Sequence, residues 1–161
     1  MYKRPLAGAI LAAPLLAVLA APAVAQAAKT VDQCKNEDAT IVVTEESPET
    51  VEGTADRDVV LIKHEGHTIK TFRGDDLVCG SDGADDIRTG TGADRVFARG
   101  GNDYVHTRKG EDLARGGSGD DKIWMGEDND TGYGGMGADR LRGGPGEDEL
   151  DGGPGDDWVI D

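Results

Sequence analysis

The sequence contains few aromatic and few basic residues. Phe, Trp and Tyr make up 4% of its 161 residues, which is too little for the thick core of a large globular domain. Only 17 Lys and Arg stand against 32 Asp and Glu, so the net charge is -15. A surface this acidic repels nucleic acid and anionic lipid and attracts cations. The composition therefore favours a partner that is a cation.

Long hydrophobic runs are absent after the first 25 residues. Lys3 and Arg4 precede an apolar, Ala-rich stretch at 6–19, and Ala23-Val24-Ala25 has the small-x-small form of a cleavage site. A run this short with these flanks is typical of a secretory signal peptide rather than of a membrane-spanning helix. We predict a signal peptide at 1–25, no membrane insertion, and a secreted, extracellular mature protein.

A nine-residue period runs from Thr71 to Ile160 without insertion or deletion. Glycine fills the fourth place of all units but one, where Asp128 stands, and the eighth place is aliphatic except at Ala114 and Gly132. The sixth place is always aspartate: Asp76, Asp85, Asp94, Asp103, Asp112, Asp121, Asp130, Asp139, Asp148 and Asp157. A fixed short period of this kind predicts a solenoid, and nine residues is the period of a parallel β-helix.

The chemistry of one unit indicates a calcium site. Glycines at the first, second and fourth places permit a tight turn that points carbonyl groups inward, and the aspartate adds a carboxylate. If two units close one coil, each turn lies over the turn two units later. A site made only of oxygen atoms, many of them main-chain, suits Ca²⁺ better than Mg²⁺, which demands stricter geometry. Zinc would require His or Cys, and neither occupies a sixth place from Thr71 onward.

Four units carry a family resemblance: GGSGDDKIW at 116–124, GGMGADRLR at 134–142, GGPGEDELD at 143–151 and GGPGDDWVI at 152–160. They resemble the GGxGxDxUx units of the repeats-in-toxin (RTX, hemolysin-type) calcium-binding family. The resemblance implies an all-β fold, a parallel β-roll or β-helix solenoid of nonapeptide repeats with an N-terminal cap strand. In addition, the stretch from Cys34 to Val43 is similar to the start of small secreted members of actinobacterial type.

The resemblance also implies a set of calcium ligands, made of sixth-place side chains and main-chain oxygens of the turns. Carried over to this sequence, the metal-binding residues are Asp85, Asp94, Asp103, Asp112, Gly116, Ser118, Asp121, Asp130, Gly134, Met136, Asp139, Gly143, Pro145, Asp148 and Asp157. The strongest pairings join Asp121, Asp130 and Asp139 to the turns that begin at Gly134, Gly143 and Gly152. Asp85, Asp94, Asp103 and Asp112 are weaker candidates because Arg and Lys side chains stand near them.

The part of the mature chain before the regular repeats is predicted to be a cap. Residues 26–52 are not repetitive, and the β-branched stretch at 39–44 predicts one strand. Residues 53–161 form the repeat domain. The unit 62–70 keeps the period but has His67 at its sixth place, so we expect it to form a coil without holding a metal.

Two cysteines in an exported chain suggest one disulfide, between Cys34 and Cys79. Five nine-residue units separate them, and an odd number places the two residues on opposite faces of a regular roll. Either the thiols are unpaired, or the intervening segment departs from the period. We favour the second alternative because Pro48 and its acidic neighbours do not fit a repeat.

No arrangement of nucleophile and base emerges from the sequence, and we expect no enzymatic activity. The segment from His64 to His67 resembles a zinc-protease motif, but it is one residue too short and lies in a strand repeat. The sequence thus predicts a secreted, non-catalytic protein that binds about four to seven calcium ions and folds on binding them after export. The alternative is a calcium-dependent adhesion or matrix module, with a cell-surface or self-association partner at its C-terminal coil.

Overall fold

The computed structural model describes residues 37–161, which form fourteen β-strands in two parallel sheets and no helix. The first sheet contains, in spatial order, β1 (Ile41–Val43), β3 (Val59–Ile62), β5 (Leu77–Cys79), β7 (Arg95–Gly100), β9 (Leu113–Ser118), β11 (Thr131–Met136) and β13 (Glu149–Asp151). The second contains β2 (Thr50–Glu52), β4 (Thr68–Lys70), β6 (Asp86–Arg88), β8 (Tyr104–Lys109), β10 (Lys122–Glu127), β12 (Arg140–Arg142) and β14 (Trp158–Ile160). The chain alternates between the sheets, so two nine-residue units complete one coil. The predicted all-β solenoid is confirmed.

The register of the strands repeats every eighteen residues. Ile123 lies opposite Leu141, and Val78 lies opposite Val96. One pair differs, because Ile41 lies opposite Val60, nineteen residues on, while Val51 and Ile69 keep the ordinary spacing. The extra residue therefore lies between β1 and β2, in the acidic stretch around position 48. The predicted departure from the period is confirmed there.

The pairing of the two cysteines stays a prediction. Cys79 ends β5 and is buried, with 1% of its surface exposed. Cys34 lies outside the described residues, as do the signal peptide at 1–25 and the first part of the proposed cap.

The interior of the roll is one thin apolar layer between the two sheets. Successive side chains of a strand point to opposite faces, so the eighth-place residues point inward. The fully buried ones include Val78, Ile87, Val96, Val105, Ile123 and Leu141. At the last coil the layer opens, since 42% of Val159 is exposed. One aliphatic side chain per unit is a small amount of buried apolar surface for a chain rich in glycine.

A second apolar cluster lies on the outer face of the first sheet. The seventh- and ninth-place residues Val59, Leu77 and Phe97 point away from the interior but are at most 4% exposed. They cluster with Cys79, and Ala39 is among the partly buried residues packed against them. Glu37 forms an ion pair with Arg57 and a longer one, of 3.5 Å, with Arg95. The chain around 37–39 therefore lies against the outside of this sheet, which the period alone did not indicate.

The outer face of the second sheet is open by comparison. Trp124 and Trp158 are 43% and 51% exposed, at the outward positions that the repeat predicts. The ring of Trp124 meets Tyr104 edge to face at a centroid distance of 5.5 Å. Within the part of the chain that the structure describes, no helix is long and apolar enough to cross a membrane.

Candidate metal centre

The sixth-place aspartates lie at the ends of the turns, immediately before the strands. Because the strands are stacked at a fixed register, these side chains form two vertical rows, one beside each sheet. In the row that leads into the second sheet, Asp103, Asp121 and Asp139 are 1–2% exposed. Counting both rows, eight of the ten sixth-place aspartates are buried: Asp76, Asp85, Asp94, Asp103, Asp112, Asp121, Asp130 and Asp139. Asp148 and Asp157, near the last coil, are partly buried.

One carboxylate oxygen of each aspartate holds the stack together. The backbone N–H of Asp103 donates to Oδ1 of Asp121 at 2.8 Å, and the N–H of Asp121 donates to Oδ1 of Asp139 at 2.8 Å. The series ends with Asp139 N–H and Oδ1 of Asp157 at 2.9 Å. The other row is built in the same way, for example from Asp112 to Asp130 at 2.8 Å. The predicted vertical stacking of the aspartates is therefore present.

The second carboxylate oxygen is left without a donor in most of these residues. Within residues 37–161, Oδ2 has no hydrogen-bond partner in Asp76, Asp103, Asp112, Asp121, Asp130, Asp139 and Asp148. Burying a carboxylate oxygen without a partner is unfavourable, and proteins rarely do it without a reason. A repeated row of such oxygens marks the place where a positive ligand fits.

The first-place glycines leave open the space that these oxygens face. A Cβ atom on Gly116 would overlap Oδ2 of Asp121 and lie 2.7 Å from the carbonyl oxygen of Gly134, one coil further on. A Cβ on Gly134 would likewise overlap Oδ2 of Asp139 and lie 2.6 Å from the carbonyl oxygen of Gly152. A carboxylate and a main-chain oxygen thus converge at each glycine. These are the turns with which Asp121 and Asp139 are predicted to share calcium, and the sharing itself stays a prediction.

The last two aspartates have half of this arrangement. A Cβ on Gly143 would overlap Oδ2 of Asp148, and one on Gly152 would lie 2.6 Å from Oδ2 of Asp157. The three heavy atoms nearest to each hypothetical Cβ belong to the aspartate, whereas at Gly116 and Gly134 a carbonyl oxygen is among them. The surroundings of Asp130 also differ, because Met125 rather than glycine holds the first place of its unit and is buried in the core. Its turn does lie against the turn at Gly143, and the pairing through calcium stays a prediction.

The third-place carbonyl groups, predicted as further ligands, already accept backbone hydrogen bonds between successive coils. The oxygens of Ser118, Met136 and Pro145 accept the N–H groups of Gly101, Gly119 and Asp128 at 2.8–3.0 Å. The oxygen of Gly143 accepts the N–H of Gly126 at 2.9 Å. A carbonyl oxygen has two lone pairs, so one remains on each for a metal.

The four aspartates predicted as weaker ligands have different surroundings. Oδ2 of Asp85 accepts the N–H of Ser81 at 2.8 Å and its hydroxyl at 3.1 Å, and only Oδ1 lacks a partner among the described residues. Oδ2 of Asp94 accepts the N–H of Gly90 at 3.3 Å. The first place is Ala98 in the unit of Asp103 and Thr107 in the unit of Asp112.

Burial raises the pKa of the stacked carboxyls. It raises the pKa of Asp103 to about 8 and that of Asp121 to about 7, and neighbouring aspartates add to the rise. Burial also raises the pKa of Asp112 to about 7, although the N–H of Asp94 and the hydroxyl of Thr107 partly offset the increase. The cause is that the buried carboxylate loses the water that stabilises its charged form. A bound cation would offset this loss by supplying positive charge beside the carboxylate.

A further ladder at the fifth place was missed by the sequence analysis. The side-chain oxygen Oδ1 of Asn102 accepts the N–H of Asp120 at 2.9 Å, and Oδ1 of Asp120 accepts the N–H of Ala138 at 2.9 Å. In the other row, Asp75 and Asn129 do the same at 2.9 Å. Both Asp and Asn occur in this ladder, since each supplies a side-chain acceptor oxygen. Their recurrence at the fifth place was the available signal.

The donor set of these sites consists of oxygen alone. Across residues 37–161, no three His, Cys, Asp or Glu side chains converge on one point. The histidines of the discounted zinc motif are used otherwise, since Nδ1 of His67 donates to the carbonyl of Pro48 at 3.0 Å. Carboxylate and carbonyl oxygens in a flexible turn are the ligands that calcium prefers. The residues present therefore fit calcium.

Fold and site together define a class, the β-solenoid with oxygen-donor turns stacked between its coils. The family model of the RTX calcium-binding nonapeptide repeat matches four stretches, residues 80–114, 100–132, 109–141 and 133–160, which together span half of the chain. The chain belongs to this family of RTX calcium-binding repeat proteins, as its resemblance predicted. Comparison with curated proteins and with solved structures finds no match.

Proposed function

We propose that this chain is a secreted, non-catalytic protein that binds calcium between its stacked coils and requires calcium to complete its fold after export. The observation that supports this most directly is the row of buried Oδ2 atoms without a donor. The family, whose repeats bind calcium, supports the choice of ion. The signal peptide read from residues 1–25 supports export.

The residues proposed to hold calcium are the sixth-place carboxylates and the main-chain oxygens beside them. Oδ2 of Asp121 with the carbonyl of Gly134, and Oδ2 of Asp139 with the carbonyl of Gly152, are the best-formed pairs. When bound, calcium supplies the positive charge that these buried carboxylates lack. Oδ1 of each aspartate continues to accept the backbone N–H of the aspartate eighteen residues earlier, and this hydrogen bond joins the two coils.

The energetics explain why calcium should decide the folding. The apolar layer is thin, and ordering a glycine-rich backbone costs about 1–2 kcal/mol per residue. Each occupied site adds about 2.7 kcal/mol when free calcium exceeds its Kd a hundredfold. Several sites acting together therefore shift the balance from a largely unfolded chain to a wound one.

A calcium titration followed by far-UV circular dichroism tests this proposal. We expect the β-sheet signal of the purified protein to be incomplete in chelator and to rise cooperatively with calcium, while magnesium at the same concentration has little effect. A β-sheet signal that is already complete in chelator and insensitive to calcium would refute calcium-dependent folding.

An adhesion or matrix module is the second candidate, and one feature of the last coil favours it. Strand β14 forms an edge of the second sheet, and Trp158, Val159 and Ile160 in it are 51%, 42% and 41% exposed. An exposed apolar strand edge is a template for pairing with another chain. Light scattering at millimolar calcium separates the two functions, because a monomer favours simple calcium binding and a calcium-dependent oligomer favours the module.

A further inference from the structure

Hydroxyl-bearing residues at the first two places of the turns are confined to the first half of the roll. In the units from 53 to 115, Thr or Ser stands at the first or second place of every unit that has a sixth-place aspartate except that of Asp103. These residues are Thr54, Thr71, Ser81, Thr89 and Thr107. From Gly116 to the last unit, the first two places hold only glycine and one methionine, Met125. The division falls at Gly116.

The threonine side chains occupy the space that is open beside the later glycines. The hydroxyl of Thr107 donates to the carbonyl oxygen of Met125 at 2.9 Å, and that of Thr89 donates to the carbonyl of Thr107 at 3.2 Å. These are first-place carbonyls one coil further on, equivalent to the Gly134 oxygen that faces Gly116. Thr89 and Thr107 are 3% and 0% exposed.

The same hydroxyls lie beside the carboxylates of their own units. Burial raises the pKa of Asp94, and the hydroxyl of Thr89 is the largest of the effects that oppose it. Oδ2 of Asp58 accepts the N–H of Thr54 at 2.7 Å and its hydroxyl at 3.3 Å. Ser81 contacts Oδ2 of Asp85 in the same way, with N–H and hydroxyl both donating. Oδ2 of Asp58, Asp85 and Asp94 thus accepts hydrogen bonds from protein donors. The hydroxyls of Thr71 and Thr107 lie beside Asp76 and Asp112 and oppose the rise of their pKa. Among the described residues, Oδ2 of Asp103, Asp121, Asp130, Asp139 and Asp148 has no hydrogen-bond partner, and their units carry no hydroxyl at the first two places.

We infer that hydroxyl groups take the place of calcium in the first half of the roll, except beside Asp103, so that the need for calcium is concentrated from Gly116 onward. This inference rests on the proposed function and specifies which part of the chain depends on the metal. The residues at the first two places decide the kind of site, because Thr or Ser there puts a hydroxyl beside the carboxylate or the next carbonyl, whereas glycine leaves that space open. The calcium sites are then those of Asp121, Asp139, Asp148 and Asp157, whose units begin with two glycines, and that of Asp130, whose unit begins with Met125 and Gly126 and has no hydroxyl there.

The physical consequence is a roll with two parts of different calcium dependence. In the first part, hydrogen bonds from Thr and Ser hydroxyls add to the Oδ1 ladder, and the apolar cluster of Leu77 and Phe97 covers the outer face. In the second part the ladder has no such hydroxyls, and its carboxylates repel one another until cations bind. The first part therefore serves as a preformed end on which the calcium-dependent coils wind.

Hydrogen exchange with and without calcium tests the inference on the unaltered protein. In chelator we expect strand amides of β5 to β8 to exchange at least about tenfold more slowly than those of β10 to β13. Calcium should protect the later strands and change the earlier ones little. Equal exchange of both parts in chelator, with calcium still binding, overturns the inference and leaves the proposed function standing.

Native mass spectrometry of single variants tests the role of the first-place residue. Thr107→Gly opens the space beside Asp112 and should add one calcium ion, while Thr107→Ser keeps the hydroxyl and should add none. The reciprocal change Gly116→Thr should remove one ion. Unchanged ion counts in Thr107→Gly and Gly116→Thr overturn the inference, whereas no calcium on any protein overturns the proposed function as well. Should Thr107→Gly fail to fold, Gly116→Thr and the exchange experiment still decide the question.

Discussion

At the residue scale, each sixth-place aspartate has two separate tasks. Oδ1 accepts an N–H group from the coil eighteen residues earlier, and Oδ2 faces the space beside a first-place residue. Asparagine reproduces the first task, because its side-chain oxygen accepts the same hydrogen bond, but it removes the charge required by the second. This difference allows the structural and metal-binding contributions of one side chain to be separated.

Asp121→Asn is predicted to have opposite effects with and without calcium. In calcium the melting temperature should fall, since about 2.7 kcal/mol is lost with one well-occupied site. In chelator at neutral pH the variant should be as stable as the parent protein or more stable, because a buried carboxylate without a donor is removed. Thermal unfolding in both buffers measures the two effects. Asp120→Asn is the control, since Asn102 and Asn129 already fill equivalent positions. Destabilisation of Asp121→Asn in both buffers contradicts the prediction.

The pH dependence of stability should also reverse with calcium. Burial raises the pKa of Asp103 to about 8 and of Asp121 to about 7, above the value of 3.8 that an unburied aspartate has. Protonation of these groups therefore favours the metal-free fold, whose stability should fall progressively as the pH rises from the ordinary value of 3.8 to about 7 to 8 and change little above that. With calcium present, protons compete with the ion, and acidification should destabilise the protein. Urea unfolding at about pH 5.5 and about pH 8.5 measures both trends. A metal-free fold that loses stability on acidification would be inconsistent with this account.

At the element scale, the turns interlock through their glycines. Gly117 and Gly135, at second places, have φ of 118° and 119°, and a Cβ on either would overlap a carbonyl oxygen of the preceding coil. Arg99 and Arg108 hold equivalent second places with φ of 78° and 92°. The turns that lack leading glycines therefore keep the same backbone shape, at the cost of a left-handed conformation in a residue with a side chain.

Gly135→Ala should be more damaging than an alanine placed at a positive φ in open space. Gly66 provides that comparison, because its φ is 87° and nothing lies within 4 Å of a hypothetical Cβ. Conformational strain of about 1–2 kcal/mol applies to both variants. Gly135→Ala carries a further cost of about 1–3 kcal/mol because the Gly117 carbonyl must move. Denaturant unfolding in saturating calcium compares the free energies of unfolding of Gly135→Ala and Gly66→Ala. Equal losses in the two variants would show that the close contact between Gly135 and the Gly117 carbonyl does not contribute to stability.

Much of the elements' arrangement could be predicted from the sequence. The uninterrupted period fixes the coil length, the parallel register and the inward eighth place, since a shift of one residue would turn every aliphatic side chain outward. The burial of Val59, Leu77 and Phe97 could not be predicted, because it depends on a non-repetitive segment that packs against them. The roles of Thr89 and Thr107 were also missed. Their hydroxyl hydrogen bonds become apparent only when the next coil is placed beside them, because the acceptor carbonyls lie eighteen residues further along the chain.

At the scale of the whole molecule, the sequence combines a thin core with a large excess of acidic groups. A net charge of -15 on 161 residues opposes compaction, and one aliphatic side chain per unit offers limited compensation. The structure concentrates much of this charge in two internal rows rather than spreading it over the surface. In the function proposed above, divalent cations in those rows remove the repulsion and join successive coils, so that binding and folding become one equilibrium.

A count of bound calcium ions tests the central claim most directly. Native mass spectrometry should compare the parent protein with the triple variant Asp121→Asn, Asp139→Asn and Asp157→Asn, which keeps the Oδ1 ladder but removes three charges from one row. We predict about three fewer ions, with the remaining ions bound more weakly because the coils that share them are less ordered. An unchanged number of ions, with an unchanged melting temperature, would contradict the claim that these carboxylates bind calcium between the coils.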